Sequence, residues 1–188
     1  VDPIIRKPEG IAQNIQAVIP GMSQSLEPRL NVWGQEIQRE GSSLGPSVIT
    51  TAKDDVVDRE LARLKVTVGF VGDQVKRIPL TQAEQTEYQR LAGAITREQM
   101  EKVIAHPSYQ EKTEMDKAKM LERANQRMKD QAANQTYVAI GGPQIEAMIR
   151  KVESNPAYRN SSPQKRAALL ARTVERAKES VKSSVGVP

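Results

Sequence analysis

The sequence predicts a mainly α protein: helical hairpins preceded by an extended N-terminal arm, with room for one small β-hairpin. Three observations carry this reading. Proline and glycine crowd residues 1–50, apolar residues recur at helical spacing through residues 81–188, and Pro107, Gly141-Gly142-Pro143 and Pro163 cut that stretch into separate helices. The chain therefore divides into a docking arm (1–50), a short helix with a possible hairpin segment (51–80), and a helical region (81–188).

In the arm, Pro3, Pro8, Pro20, Pro28 and Pro46 alternate with Gly10, Gly21, Gly34, Gly41 and Gly45. Proline lacks an amide donor and fixes φ, so no long helix runs through. One short helix fits residues 11–19, where Ile11, Ile15, Val18 and Ile19 share a face. Residues 20–34 read as extended, and Met22, Leu26, Leu30, Val32 and Trp33 there find no cover in a thin local core. They are the expected partner-binding residues, with Trp33 as the anchor.

Residues 51–65 predict a helix capped by Thr51, with Asp54, Asp55 and Asp58 near its positive end. Residues 66–71 and 75–80 are β-prone runs around Gly72-Asp73-Gln74, which suits a hairpin. Thr81 and Glu84 form a capping box that starts a helix to about residue 105. Further helices are expected over residues 114–131 and 143–154, and another from Ser162-Pro163.

Leu, Ile, Val and Phe make up 41 of 188 residues, and aromatics only 3 %. The chain can fold, but its core is thin, and neighbours in an assembly are expected to add cover. Cysteine is absent, which excludes disulfides and thiolate chemistry. No apolar run approaches the roughly 20 residues of a membrane span, so no membrane contact is expected. The start on Val1 suits a segment cut from a longer polypeptide. The net charge of +5 lies wholly in residues 143–188. Lys165, Arg166, Arg172, Arg176, Lys178 and Lys182 are thus the expected contacts for an acidic partner or DNA. No aromatics lie among them to stack bases, and Glu175 and Glu179 interrupt the patch.

The helical region repeats. A shift of 49 residues aligns Lys102 with Lys151, Val103 with Val152, Pro107 with Pro156, Tyr109 with Tyr158, Ala118 with Ala167 and Leu121 with Leu170. Each copy reads helix, Pro-x-Tyr turn, basic helix. A lone helical hairpin cannot bury its apolar face, and two can share one.

Catalytic patterns are weak. Asp54-Asp55-x-x-Asp58 could suit Mg²⁺, but acids at a helix start explain it better. His106, the single histidine, sits at a helix end where its charge is favoured, and no serine lies in a nucleophile elbow. Gly69-Phe70-Val71-Gly72 and Gly141-Gly142-Pro143 are glycine signals best read as turns, though the second could hold an anion at the next helix start. No cofactor and no enzyme activity are expected.

One pattern is more specific. Ile19-Pro20-Gly21-Met22-Ser23, Leu26, Pro28, Leu30 and Trp33-Gly34 are followed by Glu60-Leu61-Ala62-Arg63-Leu64. Leu80-Thr81, Glu84, Tyr88 and Leu91-Ala92-Gly93 come next, then Pro107-x-Tyr109. Over residues 11–135 this order resembles a domain of large polyvalent proteins of bacteriophages and mobile elements. The resemblance implies an internal virion or ejection protein of a tailed phage, a virion component made in the bacterial host cytoplasm. It does not say which neighbour is touched; together with the poor self-burial of the arm it leads to the expectation of docking in several copies, as a ring, on the portal or sibling proteins, with the basic C-terminal helices facing an acidic partner or packaged DNA. It brings no catalytic residues.

Overall fold

The computed structural model describes residues 29–36, 39–40, 48–49 and 55–185, and among them the protein is mainly helical. Strands β1 (Arg39–Glu40) and β2 (Val48–Ile49) form a short antiparallel ladder. The described residues divide into two compact units, one of those up to Asp73 with Leu80–Ala132, the other of Gln74–Pro79 with those from Ala133 on.

In the first unit, α1 (Val56–Leu64) begins one turn later than the sequence suggests. Asp55, not Thr51, is the cap; its carboxylate accepts the Asp58 amide at 2.9 Å. Thr51 and Asp54 lie outside the described residues. Lys65 ends the helix in the left-handed conformation, returning its amide to Ala62 and Leu61. Residues 66–71 do not form a strand, which corrects the expected hairpin. Two of their polar groups are taken by side chains instead: the Val71 amide donates to Gln89 Oε1 at 2.9 Å, and the Gly69 carbonyl accepts Lys129 Nζ at 2.7 Å. Val66 is buried beneath them.

α2 (Gln82–Ala105) starts on the complete capping box of Thr81 and Glu84, with bonds of 2.8 and 3.3 Å. It ends at His106, whose extended backbone precedes Pro107. A single turn, α3 (Pro107–Gln110), leads to α4 (Glu114–Ala139). α4 runs past the expected end near residue 131 because no breaker occurs before Gly141. The core gathers Trp33, Val57, Leu61, Val66, Met100, Ile104, Tyr109 and Leu121.

The second unit holds the hairpin, β3 (Gln74–Val75) paired antiparallel with β4 (Ile78–Pro79), so both strands come from the second β-prone run and its edge. Val75 and Ile78 are buried. Gly141 turns the chain with φ +73, and α5 (Gly142–Glu153), the one-turn α6 (Pro156–Arg159) and α7 (Pro163–Val185) follow. α5 packs along α7, burying Ile145, Ile149, Val174 and Ala177.

The 49-residue repeat extends to element boundaries and caps. Pro107 and Pro156 open α3 and α6, and α4 and α7 begin at residues 114 and 163. His106 Nδ1 accepts the Ser108 amide, and Asn155 Oδ1 accepts the Ala157 amide. Thr113 and Ser162 each accept the amide three residues on. Lys129 and Lys178 each donate to a backbone carbonyl, of Gly69 and of Pro79.

Candidate functional site

Those residues of the motif pattern that fall among the described ones meet in the first unit. The segment at residues 29–36 is a closed loop rather than an extended arm. Asn31 Oδ1 accepts the amides of Trp33 and Gln35, and Leu30 bridges to Glu36. Gly34 adopts φ +74, and it and Gly93 leave no room for a Cβ where the loop meets α2. The Val32 carbonyl accepts Gln89 Nε2 at 2.8 Å.

This loop delivers Trp33 into its own chain's core. The side chain is only 6 % exposed, its indole N–H donates to Asp58 Oδ1 at 3.0 Å, and its ring lies 5.6 Å from the Arg97 guanidinium. Leu30 is buried and Val32 packs against the same core. The expectation that Leu30 and Trp33 wait for a partner is therefore corrected, because both are buried within the chain, Trp33 against Val57 and Leu61 of α1 and Met100 and Ile104 of α2; Val32 is half-buried. Met22 and Leu26 lie outside the described residues.

The aspartates are committed likewise. Asp55 caps α1 and pairs with Arg97, while Asp58 holds the indole. Among the described residues no group of three or more acidic or histidine side chains is placed to hold a metal. Of the three aspartates, Asp55 and Asp58 each balance a donor in the fold, Asp55 as the helix cap, and Asp54 lies outside the described residues.

Beside them lies a second network. Arg63 donates two bonds of 2.8 Å to the Glu60 carboxylate and one of 2.6 Å to Glu114. The buried Tyr109 hydroxyl donates to Glu60 Oε1 at 2.7 Å, and Lys117 Nζ sits 5.3 Å from the Tyr109 ring. The Arg63 bonds lead in lowering Glu60 to about 2. Burial first, then Glu60, pushes Tyr109 well above the ordinary phenol range. A cleft of about 410 Å³ opens here, lined by Val56, Arg59, Glu60, Arg63, Ile104, Gln110 and Lys117. A second cleft, about 240 Å³, is bounded by Leu30, Phe70, Val71 and the first turns of α2, with Phe70 61 % exposed.

His106 and Ser108 lie within 2.7 Å through Nδ1 and Oγ. The same ring nitrogen accepts the Ser108 amide, and Asn155 does the equivalent work in the second copy. An amide side chain filling the same role identifies His106 as a helix cap.

On α7, Lys165, Arg172 and Arg176 are exposed and fall on one helical face, whereas Arg166 is half-buried. Lys178 is turned inward to the Pro79 carbonyl at 2.8 Å, so it is a structural contact rather than a member of that face. The Lys182 side chain lies outside the described residues. Sequence reasoning missed Glu60, Arg63 and Gly93 as parts of one framework. Their presence in the ordered pattern was the available signal, and their partners lie on other elements.

No family model, curated protein or solved structure matches the chain.

Proposed function

We propose that the chain is a non-catalytic structural segment of a tailed-phage internal virion or ejection protein. It works by docking in several copies, as a ring, on the portal or on sibling proteins. One observation supports this reading most. The residues that carry the resemblance and fall among those described are used to hold a framework: Trp33 on Asp58, Gly34 and Gly93 at the loop, Thr81 with Glu84, Tyr109 on Glu60. A pattern built of packing residues fits a scaffold whose surfaces carry the function. The docking surface then lies away from Trp33, and α7 offers its basic face to an acidic neighbour or to packaged DNA. Among the described residues, no helix is long and apolar enough to cross a membrane. Mass spectrometry of purified virions tests the proposal. Peptides of this chain should be present in filled particles and depleted after DNA ejection. Their absence from particles, with abundance in the host lysate, would overturn it.

A second reading, a nucleic-acid-binding accessory module, is favoured by Lys165, Arg172 and Arg176 sharing one exposed face. It requires duplex binding with a steep salt slope that is lost in the Arg172→Gln, Arg176→Gln double variant.

A further inference from the structure

We infer that the second repeat copy carries an open seat for a short acidic amphipathic helix of a partner protein, the seat that α1 fills in the first copy. The argument starts from what α1 does. Val57 and Leu61 share one buried cluster with Tyr109 and Leu121, and Glu60 receives the Tyr109 hydroxyl. Tyr109 is 1 % exposed and Leu121 0 %.

The equivalent positions in the second copy, Tyr158 and Leu170, are only half-buried. Ala118 packs against the first cluster, whereas its counterpart Ala167 is exposed. Met120 packs there too, and its counterpart Leu169 is 40 % exposed. Among the described residues the Tyr158 hydroxyl has no hydrogen-bond partner. The local frame is nonetheless the same, because both copies share turn, caps and helix starts. Apolar side chains and a phenol kept at the same places, but without the covering helix, mark an unfilled version of a seat whose occupant is visible beside it.

Charge sets the chemistry of that occupant. Around the filled seat stand Gln110, Glu114 and Lys117, one cation against one carboxylate. Their counterparts are Arg159, Pro163 and Arg166, two cations and no carboxylate. A covering helix must therefore bring more negative charge than α1 meets, with one carboxylate placed one turn from its apolar stripe to accept Tyr158. The inference rests on the protein-contact reading of the chain and is independent of where that contact occurs.

A helix-stapled, fluorescently labelled peptide of residues 54–64 is a direct probe, titrated against the full chain by anisotropy. Saturable binding is expected, weakened by about tenfold in Leu170→Glu and several-fold in Tyr158→Phe. The Glu60→Gln peptide should lose affinity by the same factor as Tyr158→Phe, and combining the two changes should add nothing further. Circular dichroism of each variant confirms that the helices remain. Binding that ignores both Tyr158→Phe and Leu170→Glu, or that falls with Tyr109→Phe instead, would overturn the inference. So would peptide inertness with duplex DNA bound through Lys165 and Arg166. Absence of the chain from virions would remove the virion reading and leave this result standing.

Discussion

Gly93 lies so close to the backbone of Trp33 that a methyl group placed on it would collide with the Trp33 main chain. That contact lets the loop at residues 29–36 seat on α2 and brings the indole to Asp58. Backbone cannot move aside as a flexible side chain can. Gly93→Ala is therefore expected to cost about 3 kcal/mol or more in urea unfolding. Gly69→Ala, which would meet nothing nearer than Lys129 Nζ at 3.7 Å, is expected to stay within about 1 kcal/mol of the parent.

Trp33 is the single tryptophan, so it reports its own surroundings. At 6 % exposure its emission should be blue-shifted and poorly quenched by acrylamide in the isolated chain. Emission like that of free tryptophan would sink the buried-loop description. Trp33→Phe should lower stability by about 2 kcal/mol, since it removes the indole bond to Asp58 and part of the packed ring.

Glu60 predicts an acid limb. Its ordinary value is 4.5, and in the fold it is held at about 2, chiefly by Arg63. Between those values the unfolded chain binds a proton that the folded chain does not. Stability from this group is thus present above pH 4.5 and is lost as pH falls toward 2. Glu60→Gln should flatten the stability profile in that window and lower stability at neutral pH by about 1 kcal/mol. Chemical denaturation at several pH values checks both.

Lys76 holds φ +52 in the β3–β4 turn, and its ammonium lies 3.5 Å from the centre of the Tyr137 ring. A left-handed non-glycine residue costs roughly 1 kcal/mol, and the cation–ring contact offsets a similar amount. Lys76→Ala keeps the strain and loses the contact, while Lys76→Gly loses both. The glycine variant should therefore melt higher than the alanine variant, and the reverse order in thermal unfolding would contradict the backbone strain at this position.

Much of the helical region was legible because its signals are local. A capping box at Thr81 and Glu84, and prolines at 107, 156 and 163, act within a turn of themselves. The 49-residue spacing of Pro-x-Tyr was visible for the same reason. The start of α1 was misplaced because several aspartates and threonines compete for one cap, and only the chain path selects Asp55. The hairpin was misplaced because Val66–Val71 as a sequence is as β-prone as the run after it. Lys129 and Gln89, far along the chain, take two of its polar groups.

By itself, then, the sequence determined the mainly helical class, the breakers and the repeat, since hydrogen bonds and side-chain periodicity within a few residues dictate them. Tertiary structure alone decided that Trp33 is covered from within, that Glu60 serves Tyr109, and that Tyr158 in the second copy stands without such a carboxylate among the described residues. Burial of that kind depends on which distant element arrives above a residue, and no local pattern carries that information.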